Sequence, residues 1–199
     1  MRPLLIGSAV AALLAVSAPG ASAVFPNCTV ITDQVGDVRL AGVDQTAGQV
    51  DDDNVDLRTV EVWAADRVMV VIFEATKLDP RRDGEWRLTF TSKRQQAFVV
   101  AQVRGLGRAS TFFVGLKNRA SLPVTGSVDY DASRVIVSFP TDILGPARPS
   151  RGTALADFAA ETVELFGHTD VLDSTVVVDP ALSDAASSRA TYRAGDVCR

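Results

Sequence analysis

Oxygen donors crowd the early part of the chain. Asp33, Asp37, Asp51, Asp52, Asp53, Asn54 and Asp56 all lie near the first expected strands. Calcium binds through about six to eight hard oxygens, and carboxylates clustered on loops suit it. The run is not an EF-hand: the fifth position of an alignment begun at Asp51 is Val55, and the glycine needed for the loop turn is missing. A calcium site here has to be assembled from separate loops. The simpler reading of residues 51–53 is a solvated acidic loop that keeps a sheet edge soluble.

Other chemistry has fewer residues to work with. His168 is the one histidine. A hydrolase reading needs it to meet a buried Asp and an exposed Ser. Asp170 and Asp173 are near it in sequence, but no G-x-S-x-G turn exists, so a surface loop explains it. A carboxylate-pair hydrolase would draw on Glu74, Glu85, Glu161 or Glu164, and nothing in the sequence pairs them across a cleft. Arg104 and Arg108 flank Gly105 and Gly107, and with Arg119 they would make a small anion patch or remain ordinary solvated arginines. Sugar binding needs exposed rings for apolar sugar faces to stack on. The chain has two Trp and two Tyr, which counts against it. Trp63, at a strand end beside a hairpin, is the candidate ligand platform. Trp86 shares a face with Leu88 and Phe90 and reads as core, and Tyr192 sits in a polar tail.

The elements that must position these groups are mostly strands. Trp86, Leu88 and Phe90 alternate with polar residues, as do Val135, Val137 and Phe139, and Phe112, Val114 and Leu116 keep the same period of two. Residues 68–73 are apolar on both faces, as a central strand is. The apolar phase runs Val55, Leu57, then Val60, Val62, so parity flips near Thr59 and predicts a bulge. Turn signals at 64–66, 79–84, 105–107 and 131–133 separate the strands, which argues an all-β, single antiparallel β-sandwich of immunoglobulin or jelly-roll type. Residues 152–166 are ambiguous. Leu155, Phe158, Ala159, Thr162, Leu165 and Phe166 fall at helical spacing, yet 162–167 equally reads as a closing strand.

Composition narrows the classes further. With 199 residues, 47% hydrophobic and 22% charged, the chain is of ordinary globular make-up. A net charge of -4 and a pI near 5.0 exclude a basic nucleic-acid footprint. Residues 1–23 read as a signal peptide: Arg2, an apolar stretch over 4–16, and Ala21-Ser22-Ala23 as a cleavage site. The expectation is a secreted, extracellular domain over 24–199 with no transmembrane segment. Cys28 and Cys198 then face an oxidising compartment, where an isolated pair is expected as a disulfide, with two free thiols as the alternative. Closing so long a loop stabilises by roughly 4–5 kcal/mol in the chain-entropy model.

The order of several motifs resembles the DOMON-like and family-9 carbohydrate-binding-module-like β-sandwiches of secreted, actinobacterial-type proteins. These motifs are 33–37 (D-Q-V-G-D), 53–57 (D-N-V-D-L), 126–130 (G-S-V-D-Y), Phe139-Pro140 with Leu144-Gly145, and Asp173-Ser174-Thr175. The resemblance implies that 162–167 is a strand. It also implies that the 33–37 turn and the late Asp-Ser approach one end, making Asp33, Asp37, Asp56 and Asp173 the calcium ligands. It favours a non-enzymatic module that binds extracellular or cell-envelope glycan, or a protein partner. A secreted hydrolase and a structural envelope protein without a small ligand are the alternatives.

Overall fold

The structure, a computed structural model, describes residues 27–36, 38–41, 53–165, 176–180 and 191–198. The strands are β1 (Cys28–Thr32), β2 (Arg39–Ala41), β3 (Leu57–Ala64), β4 (Val68–Ala75), β5 (Gly84–Ser92), β6 (Gln95–Val103), β7 (Thr111–Leu116), β8 (Leu122–Asp129), β9 (Arg134–Pro140), β10 (Ala154–Leu165), β11 (Val176–Pro180) and β12 (Thr191–Arg193). A broken 3-10 helix, Thr141–Ala147, is the one helix among the described residues. All pairings are antiparallel, in the order β1-β3-β4-β9-β8-β7-β6-β5-β10-β11-β2, with β12 added on β10. This is a single antiparallel sheet nearly closed into a barrel.

The sheet turns over at β8. Residues 125–129 pair with β9, and 122–124 pair with β7. Inside the curled sheet lies the main apolar core, with Val38 and Val55 as a small separate cluster. Met69, Val71 and Phe73 of β4 and Phe139 of β9 meet Trp86, Leu88 and Phe90 of β5 within it. The alternation read from the sequence is the alternation that is buried, and Trp86 is core. β4 lies between β3 and β9 and is buried on both faces, as its unbroken apolar run predicts.

Bulges explain where the period breaks. The β3–β4 register shifts between Leu57 and Thr59, at the predicted parity flip. A second shift separates Ala156 from Ala159 in β10, where Asp157 takes a φ of 53°. The bulge leaves two residues between buried Leu155 and buried Phe158; beyond it Ala160, Thr162 and Glu164 alternate normally. The helical spacing is thus, over the described Ala154–Leu165, a bulged strand, since one extra residue converts a step of two into a step of three.

The end of the chain is structural rather than a polar tail. Tyr192 is 1% exposed, and its hydroxyl accepts from Ala64 N at 3.2 Å. Gly195 N donates to Ala64 O at 2.7 Å. Beyond them Cys198 is bonded to Cys28, with Cα atoms 5.1 Å apart.

Reduction of this bond, or serine at both positions, is expected to destabilise the fold by about 2–5 kcal/mol, read from urea unfolding. Protein prepared without reductant should take up no alkylating reagent; labelling of two thiols would contradict the pairing.

Candidate functional site

Among the described residues, a group of polar and aromatic side chains gathers where the 79–84 turn, the 104–110 loop and the β8–β9 hairpin meet. An open cleft of about 440 Å³ there is lined by Arg104, Arg108, Ser110, Phe112, Ser127 and Tyr130, with Pro80 at its edge. Its size is that of a small-molecule site.

One carboxylate organises the loop. Asp83, largely buried, accepts from Gly105 N at 2.9 Å and from Arg104 Nη1 at 3.1 Å, and its Oδ1 also takes Arg108 Nη2. Leu106 N donates to Pro80 O at 2.8 Å, so the loop and the turn are joined through backbone as well. Residue 105 has to be glycine for this approach: a Cβ there would stand against the backbone of Arg81 and Arg82. On the other wall, a Cβ on Gly126 would lie 2.5 Å from the Phe112 ring, so glycine in β8 lets that ring lie against the strand.

Electrostatics follow from the same contacts. Burial pushes the Asp83 carboxyl up, but Gly105 N, the Arg104 hydrogen bond and the Arg108 charge outweigh it and hold it below the usual carboxylate range. Arg81 clamps Asp79 through its side chain and backbone N–H, pulling that carboxyl down to about 2. The Tyr130 phenol is pushed up by burial and then by the negative charges of Asp79 and Asp83, so it keeps its proton.

The residues singled out in the sequence are distributed as follows. Arg104 and Arg108 do come together, while Arg119 is not among the cleft's lining. Trp63 is half-buried in β3, paired with Val70, and also lies outside the lining. Asp56 is buried; its Oδ1 accepts from Gly36 N at 2.9 Å and its Oδ2 from Thr76 Oγ1 at 2.5 Å. Asp33 is buried at the end of β1. Asp37, Asp173 and His168 lie outside the described residues, as does the 1–23 segment. Among the described residues, no three His, Cys, Asp or Glu side chains gather as a metal site. The four glutamates are each bonded to arginine: Glu74 to Arg58 and Arg134, Glu85 and Glu161 to Arg87, Glu164 to Arg82. Asp83 and Tyr130 were not legible as site residues; the signals were Asp83 within a polar turn and Tyr130 at the end of the 126–130 motif.

Because Asp83 has a lowered pKa, the stability it contributes is present above the ordinary carboxylate range and is lost as pH falls through its folded value. Asp83→Asn is expected to destabilise at neutral pH by about 1–3 kcal/mol and to flatten the loss of stability between about pH 5 and pH 2. Urea unfolding across that range checks both; an unchanged acid profile in the variant would show that Asp83 does not anchor the loop. Compared with known protein families, with curated proteins and with solved structures, the chain matches none of them.

Proposed function

We propose that the protein is a secreted, non-enzymatic binding module, a β-sandwich of DOMON-like type, that recognises extracellular or cell-envelope glycan in the Arg104–Tyr130 cleft. The observation that carries this reading is the cleft's mixed lining. Phe112, Pro80 and Val128 offer apolar surface, while Arg104, Arg108, Ser127 and Tyr130 offer hydrogen-bonding groups. Sugars present both kinds of surface, CH faces for rings and hydroxyls for polar side chains. The turnover of the sheet at β8 supports a two-layer sandwich, and the Cys28–Cys198 bond supports an oxidising compartment.

A glycan array with the mature protein, followed by titration calorimetry on the best glycan, tests the reading. Tyr130→Ala is expected to weaken binding about tenfold, roughly 1.4 kcal/mol, and Trp63→Ala to leave it unchanged. The reverse pattern would move the site to Trp63. An array without a bound glycan would overturn the glycan reading.

Calcium is part of the proposal as a stabilising ion. Its support is that the Gly36 turn docks on the buried Asp56 carboxylate with Asp33 buried nearby in sequence, as the resemblance implies. A chelator should then lower the melting temperature, and Asp56→Ala should remove the response; an unchanged melting curve in chelator would refute the ion.

A further inference from the structure

Charge in the cleft is unbalanced. Two guanidiniums, Arg104 and Arg108, stand against the single carboxylate of Asp83. Asp79, the nearest other acid of the turn, is already held by Arg81 at 3.0 Å. The arginines are also incompletely used. Arg104 donates to Asp83 through Nη1 alone, and Arg108 donates through Nη2 to Asp83 and through Nε to Gly105 O at 3.2 Å. Arg104 Nε and Nη2 and Arg108 Nη1 therefore have no partner among the described residues. A guanidinium edge with unused N–H groups matches a carboxylate in shape as well as charge.

Apolar surface lies beside that edge. Pro80, Val128 and the half-buried Tyr130 line the same cleft as the arginines, as does the largely buried Phe112, and the Tyr130 hydroxyl is a neutral donor and acceptor there. In the same 104–110 loop, Leu106 is 72% exposed, with its backbone at a φ of 59°. A leucine in the left-handed region at an exposed tip is costly, and such positions cluster at ligand sites.

We infer that the cleft binds a carboxylate carried on a six-membered ring, with the carboxylate on Arg104 and Arg108 and the ring against the Pro80, Val128 and Tyr130 lining. This rests on the cleft being the binding site proposed above and narrows what it takes. Two sources supply that chemistry: a uronic acid residue of a glycan, or an aromatic acid. A cavity of about 440 Å³ holds either.

The test is calorimetry on the full secreted protein at low salt. The probes are a glucuronate-terminated disaccharide, its glucose-terminated counterpart, benzoate and inorganic phosphate. The expected result is binding of the glucuronate probe at least about tenfold tighter than of the neutral one, weakening as salt is raised. Arg108→Lys keeps a cation for Asp83 but loses the fork. It should cost the acidic probe about tenfold, cost any neutral binding less, so that the acidic preference narrows, and melt near the parent temperature. Benzoate binding without glucuronate binding would support the ring-carboxylate inference and overturn the glycan reading. Equal binding of acidic and neutral disaccharides, indifferent to Arg108→Lys, would overturn the inference and leave the glycan reading standing. Phosphate binding as tightly as the ring acids would overturn the role of the ring. Silence with all four probes would overturn the inference, while the glycan array judges the glycan reading separately.

Discussion

A sheet that curls over its own apolar face leaves a seam, and this seam is held at Ala64. Tyr192 Oη accepts from Ala64 N, and Gly195 N donates to Ala64 O, so one residue of β3 receives the last strand of the chain. The Cys28–Cys198 bond closes the same seam covalently between the first strand and the end of the chain. The core depends on this closure. Leu155 and Tyr192, neighbours across β10 and β12, are fully buried only because the two halves stay opposed. The buried Tyr is tolerated because its hydroxyl has a backbone partner there. Further ties cross the interior, with Thr162 Oγ1 donating to Val55 O and Ser92 Oγ to Ala147 O.

At the other side of the molecule, closure is achieved by β8 instead. A strand that pairs with β9 along one part and β7 along another cannot present one continuous buried face, and most of its side chains are exposed. The cleft opens at this change of partner. Phe112 of β7 lies against β8 where Gly126 has no side chain, and the 104–110 loop rises beside it, pinned by Asp83. The same geometry that closes the sheet therefore leaves a concavity, and two arginines with one shared carboxylate give it a sign. The Asp83 arrangement is stabilising because three donors converge on a nearly buried anion, which would otherwise be costly to bury.

The placement of the acidic residues shows how different two similar motifs can be. Asp56 and Asp83 are both carboxylates in polar turns. Asp56 stitches the early turn to Thr76 through hydrogen bonds. Asp83 gathers guanidiniums and so leaves an excess of positive charge beside an aromatic wall. Spacing along the chain does not separate these roles; neighbours from distant strands do.

Much of the strand framework was written locally. Alternation at Trp86, Leu88 and Phe90 and at Val135, Val137 and Phe139 reports which face is buried, and the parity flip at Thr59 reports a bulge, because side-chain direction in a strand has a period of two. The cysteine pair was readable for a different reason: with two cysteines in the chain, each has one partner to choose. Local pattern failed where the backbone left its regular path. Asp157 at positive φ made a strand resemble a helix, and the β5–β6 hairpin turns at Lys93 and Arg94, both at positive φ, without the Asn or Gly that usually marks such a turn. Tyr192 read as tail because its partner, Ala64, is 128 residues away. The cleft belonged wholly to tertiary structure. Arg104 and Arg108 stood out as a pair, but Asp83, Phe112, Gly126 and Tyr130 join them only through strand register, and register is decided by the closure of the whole sheet rather than by any one segment.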